Sequence, residues 1–414
     1  MRVMKSWLRL FLIFLLFLIS IEARGDLLSL KLSGWVISES DLLREKELFP
    51  DLYCVRLFSV WEIKGEKGVK VWGITPTEFK DKNIFTVPCI KISSDSLNSI
   101  PDPGLSILAE DLINQLGLFA GKIIELNIER NLKSSRGLEF NKFKIFLSEF
   151  ITRKIGVNMV VEPALMTEWT ESEWREIDSM INEYILMLYD YDKNSLEPHN
   201  PAPIKKVKSD LERFLKLTID PGKVILGIPT YAFIWSMEPE KGSRPYLGSL
   251  WLEDEFSEYF FTSISVKNYI LSWSLSGEEL VPDFLVCSPG GELICWSEDN
   301  GANYIYVKRG GGFYIIYYED IQSYIEKFEL AEEHNLKGVS FWLLGRENRL
   351  LTELVQQAET LEVKRFNSVQ FQVLKKYFTN RSGLFFGDAP ILDCNPIQRG
   401  SGNELIWKNY SSEY

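Results

Sequence analysis

The stretch GKIIELNIER, Gly121–Arg130, decides the fold of this chain. Ile124, Leu126 and Ile128 alternate with Glu125, Asn127 and Glu129, and residues two apart on a strand share a face. One face is therefore aliphatic, and the other carries two acids and an amide. The flanking segments read as buried, so an edge strand open to water does not explain the acids. A buried charge is costly unless it is paired or used. A closed barrel resolves the conflict, because each strand then packs its outward face on helices and turns its inward face to the lumen. Ile124, Leu126 and Ile128 belong outward. Glu125, Asn127 and Glu129 belong inward, with Glu129 at the C-terminal end of the strand.

Other apolar runs supply the remaining staves. They are KLSGWVI around Trp35, Tyr53–Val60, Ile84–Ile90, Val157–Val161, Tyr184–Tyr191, Lys223–Tyr231 and Gly338–Leu344. Between them lie segments of helical period, one with Phe140, Phe143, Phe146 and Leu147 on one face and another with Ile321, Ile325 and Phe328. Eight strands alternating with helices predict the α/β class and a (β/α)8 TIM barrel, spanning residues 24–350. Nearly ninety aromatic-rich residues separate Tyr231 from Glu319, too many for a structureless loop. They predict a small α+β insertion over 236–318 after strand seven, on the face where barrel active sites form. Residues 351–414 read as a C-terminal extension, with glycosylation sequons at Asn380 and Asn409.

With 45% hydrophobic and 13% aromatic residues among 414, the chain can build a large core, which excludes wholesale disorder. A net charge of −12, with no basic run beyond the extreme N-terminus, argues against nucleic acid as a partner. The only histidines, His199 and His334, lack a metal-like setting. No metal or organic cofactor is expected, and carboxylates are left to carry any chemistry. Arg2, Lys5 and Arg9 precede the apolar run Leu10–Ser20, which reads as a signal peptide cleaved after Ala23. The expectation is a secreted or cell-envelope protein, monomeric and without a stable membrane anchor, although an uncleaved signal anchor fits the same residues. Cys54 and Cys89 sit in strand-like runs as buried thiols. Cys287 and Cys295 flank a Pro-Gly-Gly turn where a cross-strand bridge is conceivable, and Cys394 is left over.

KIIELNIE resembles the Asp-x-x-Asp-x-Asp-x-Glu motif on the fourth strand of glycoside hydrolase family 18, the chitinase family. LMLYDY resembles that family's Met-x-Tyr-Asp on strand six, matching Met187, Tyr189 and Asp190. KVILGIPTYAFIW resembles its seventh strand, with Tyr231 and Trp235, and YYEDIQSYIEKFELAEEHNLKGVSFWLLG its last helix and strand, with Trp342. The similarity runs in order from about Leu30 to Leu350 and is closest in flavour to bacterial spore-cortex-type glycosidases. It implies substrate-assisted retaining hydrolysis, in which the sugar's own 2-acetamido oxygen attacks the anomeric carbon. Glu129 would be the general acid and base. Tyr189 and Asp190 would hold the acetamido group, Trp342 would stack under the ring, and Trp35 and Trp235 would extend that platform. The implied partner is an oligosaccharide or polysaccharide containing N-acetylglucosamine, such as chitin oligomers or peptidoglycan-like polymers.

The chain departs from the motif at three places: Lys122, Glu125 and Asn127 stand where the family has aspartates. Asn127 can donate a hydrogen bond but cannot take a proton. Glu125 is expected to swing into the missing role or to raise the pKa of Glu129 by its charge. IKISS replaces the glycine motif of strand three. Two readings stay open: a secreted hydrolase, and a catalytically weak or inactive chitinase-like sugar-binding protein. Less favoured is an enzyme on a different sugar.

Overall fold

The computed structural model describes residues 30–38, 54–76, 85–130, 137–217, 220–236, 245–251, 284–285, 295–297, 301–309, 312–319 and 321–344. The expected signal peptide, Cys287, Cys394 and the C-terminal extension lie outside the described residues. Eight parallel strands form the barrel: β1 Lys31–Val36, β2 Cys54–Lys64, β4 Thr86–Ser93, β5 Ile123–Glu129, β6 Gly156–Val161, β7 Glu183–Leu186, β8 Val224–Pro229 and β15 Gly338–Trp342. Each pairs with the next, and β1 pairs both β15 and β2, which closes the ring. The expected barrel is the observed one.

Alternation along the strands builds two cores. Ile124, Leu126 and Ile128 pack outward with the helical layer, where α3 (Phe140–Thr152) buries Phe143, Phe146, Leu147 and Phe150. Each such side chain contributes about 1.5–3 kcal/mol on burial. Helix α4 (Glu171–Asp178) begins at a capping box between Thr170 and Glu173 and delivers Trp174 to the same core. The inner core is smaller: Trp35, Phe58, Cys89, Val160, Ile185, Ile225 and Leu343. Cys54 and Cys89 are free, buried thiols, and burial pushes Cys54 up to about 12.

Two strand boundaries differ from expectation. The Tyr184–Tyr191 run stops being a strand at Leu186, and the chain turns through Asp190 in the left-handed region (φ 60°). The Lys223–Tyr231 run is two strands, because Thr230 breaks the pairing before β9 (Tyr231–Ser236). Strand β9 joins a second, antiparallel sheet ordered β10 (Tyr246–Trp251), β9, β14 (Gly312–Tyr318), β13 (Ala302–Arg309), β11 (Phe284–Leu285), with β12 (Cys295–Ser297) also on β13. A hairpin strand unforeseen in the sequence, β3 (Lys67–Gly73), runs back along the upper half of β2. Helix α6 (Ile321–Glu333) then returns the chain to β15, burying Tyr324 and Phe328 against Phe341.

Candidate active site

The lumen is built in layers, and the lower polar layer is a buried ion network in which Arg56 Nη2 lacks a hydrogen-bond partner. Glu125 accepts from Trp35 Nε1 at 2.8 Å and from Arg56 Nε at 2.7 Å, with both charged side chains fully buried. Arg56 also reaches Ser340 Oγ at 3.3 Å and lies 3.7 Å from Glu183. Glu183 in turn accepts from Lys337 Nζ at 2.5 Å and from Asn158 Nδ2 at 3.1 Å. Two acids and two bases balance, which is what makes their burial tolerable. This corrects the expected role of Glu125. Its two oxygens are committed to Trp35 and Arg56, so it does not swing toward Glu129. Lys122 is exposed at the opposite end of the strand, over the Phe119 ring.

One layer higher, Asn127 Nδ2 donates to Glu129 Oε1 at 2.9 Å, leaving its Oδ1 buried without a partner. The second oxygen of Glu129 is ion-paired with Lys91, the lysine of IKISS. Strand β4 pairs β5 with Lys91 opposite Asn127, so the ammonium belongs to the inward face. Glu162, directly after β6, is the third charged group here. Burial first, then the charge of Glu129, pushes its carboxyl up to about 7. Reading the sequence missed Lys91, Glu162 and Arg56. The alternation applied to β5 would have found them, since each is a charge in phase with the inward face of a largely apolar run.

Tyr189 is buried beside this layer with its hydroxyl unpartnered. Burial, Asp190 and Glu129 hold that hydroxyl well above the ordinary tyrosine range, so it is a donor at any working pH. Its seat depends on Gly227, where a Cβ would meet Leu186 O at 2.7 Å and the Tyr189 ring at 3.0 Å. Asp190 accepts from Tyr231 Oη at 2.5 Å and pairs with Lys193 at 3.0 Å. Met187 is half-buried between the two cores. Trp342 is half-buried, with its ring 5.7 Å from Trp35 and 4.7 Å from Phe58. Thr230 N donates to Trp342 O at 2.8 Å, and Leu344 N to Trp35 O at 3.0 Å, which fixes the segment from both neighbours.

The two outer platform residues stand elsewhere than expected. Trp35 is 1% exposed and serves as a donor to Glu125. Trp235 is fully enclosed; its Nε1 donates to His199 O at 2.8 Å, and the His199 ring lies 4.8 Å away. Neither offers a face to a sugar in this conformation. Among the described residues no His, Cys, Asp and Glu cluster could hold a metal ion, and no helix is long and apolar enough to cross a membrane.

The sequence model of a family described as Glycosyl hydrolases family 18 matches residues 139–347. A curated relative, the cortical fragment-lytic enzyme of Bacillus anthracis, is 21% identical over 176 residues, 42% of this chain. The chain spans only about a third (34%) of that relative's length. The spore cortex-lytic enzyme SleL of Bacillus cereus aligns at TM-score 0.54 and 16% identity, over 84% of this chain and 74% of the other. A chitinase from Chromobacterium violaceum aligns at TM-score 0.58 and 12% identity, over 85% and 99%. The Cycas revoluta chitinase, solved in complex with (GlcNAc)3, aligns at TM-score 0.54 and 16% identity, over 84% and 100%. At these identities the solved structures establish the shared fold.

Proposed function

The chain belongs to glycosyl hydrolases family 18, and on that premise we propose that it hydrolyses β-1,4-linked glycans containing N-acetylglucosamine, with retention and with the substrate's acetamido group as nucleophile. The observation that carries this reading is the pair of unpartnered buried polar atoms beside Glu129, namely Tyr189 Oη and Asn127 Oδ1. A buried polar group without a partner costs roughly 1–3 kcal/mol. One donor and one acceptor match the C=O and N–H of a single acetamido group. Tyr189 would bond the carbonyl oxygen and hold it toward the anomeric carbon, while Asn127 would accept from the amide N–H. Glu129 would protonate the departing oxygen and then deprotonate water. Trp342 would support the ring from below. The relatives' names point to chitin-like or cortex-like polymers, and residues 1–23 are proposed to export the chain.

The ion pair between Lys91 and Glu129 favours a second reading, a sugar-binding protein that has lost turnover. An ammonium on the acid must be displaced before that oxygen can protonate a leaving group. Incubating the mature protein with a fluorogenic N-acetylglucosamine oligomer separates the two. Hydrolysis that disappears in Glu129→Gln is expected. Saturable binding without turnover, unchanged by that substitution, would favour the binding protein.

A further inference from the structure

Strands β5 and β6 pair at a constant offset, from Ile123 with Gly156 to Asn127 with Val160. Carried two residues on, that offset sets Glu129 beside Glu162, and alternation from the inward Val160 turns both toward the mouth of the lumen. The Arg130 backbone N–H donates to the Glu162 carboxyl, and the Arg130 guanidinium is engaged with Glu168 at 3.5 Å. The charges facing Glu162 are therefore Glu129 on β5, Arg130 just after it, Lys91 on β4, and Glu168 after the short 3-10 turn Leu165–Thr167. Two neighbouring carboxyls served by a single ammonium do not both ionise freely.

We propose that Glu129 and Glu162 form a carboxyl pair that shares one proton, with Lys91 as its counter-charge, and that Glu162 thereby holds the proton which Asn127 cannot. This rests on the hydrolase reading and deepens it. At rest the proton is on Glu162, while Lys91 and Asn127 hold Glu129 as an acceptor. When a glycosidic oxygen reaches Glu129, the O–H bond of Glu162 breaks and one forms on Glu129. That proton passes to the leaving oxygen as the C–O bond breaks and the acetamido oxygen bonds the anomeric carbon. Attacking water then gives a proton back to Glu129, from which it returns to Glu162. The cycle closes with no other reactant. Glu162 touches no sugar in this scheme and is a positioning residue.

Carboxyl 13C NMR titration of the full chain tests the pair without any substrate. One glutamate is expected to titrate near pH 7, to vanish in Glu162→Gln, and to fall toward the ordinary carboxylate range in Glu129→Gln. Kinetics on a fluorogenic N-acetylglucosamine oligomer supply the second readout. Activity should decline as pH rises through about 7, where Glu162 loses its proton. Glu162→Gln should remove that limb and lower kcat by about tenfold or more at unchanged KM, with Glu162→Asp restoring part of both. A titration near 7 that survives Glu162→Gln, or an unmoved alkaline limb in that variant, overturns the proposal. An intact NMR titration in a protein that turns over no substrate supports the pair and overturns the hydrolase reading instead.

Discussion

Tyr189 carries its hydroxyl into the lumen without any protein partner, and this has opposite consequences for stability and for chemistry. Removing an unpartnered buried hydroxyl costs the fold nothing and can relieve it. Removing a donor aimed at developing charge typically lowers kcat by about 10²–10³. Tyr189→Phe should therefore unfold at or slightly above the wild-type temperature while losing about two orders of magnitude in turnover, checked by calorimetry beside kinetics. Matched losses in both would assign the hydroxyl a structural role. At this scale Glu129, Asn127, Tyr189 and Trp342 were legible as inward residues at strand ends. Their partners were legible only as inward charges: Lys91 on β4 and Glu162 just after β6 are in phase with the lumen, but it takes the register of β4 and β6 against β5 to bring them to Glu129. Glu125 was legible as inward but misread in role, because its cancelling charge, Arg56, comes from a strand remote in sequence.

The elements place these side chains through close backbone approach. Gly227 on β8 leaves room for the Tyr189 ring and for Leu186 O, both of which an added Cβ would meet at 3.0 Å or less. Gly227→Ala should destabilise the protein by about 1–3 kcal/mol through overpacking and should also displace Tyr189. Urea midpoints and kcat should then fall together, unlike the Tyr189→Phe case; an unchanged kcat would show that the ring does not depend on this gap. All eight barrel strands were readable, since strands covered by helices become continuous apolar runs. Strand β3 was not, because Val69, Val71 and Trp72 are exposed and Lys and Gly interleave with them, so no buried face marks the segment. The ends of β7 and β8 were over-extended. The apolar pattern continues past Leu186 and Pro229, while the backbone turns to set Tyr189 and Tyr231 at the mouth.

Across the whole molecule, Arg56 ties β2 to Glu125 on β5, Glu183 on β7 and Ser340 on β15, crossing the lumen beneath the site. Such a network adds little net stability when complete, but losing one member strands the others. Arg56→Met should cost about 3–5 kcal/mol in chemical unfolding, and adding Glu125→Gln should recover much of that loss. An unchanged midpoint in the single variant would contradict the charge balance. In the proposed reaction the acetamido group is the reacting partner of this lumen. The most direct measurement compares turnover of a fluorogenic N-acetylglucosamine trimer with that of the matching glucose trimer, which lacks the acetamido group. Hydrolysis of the first and none of the second is expected. Comparable cleavage of both would contradict it.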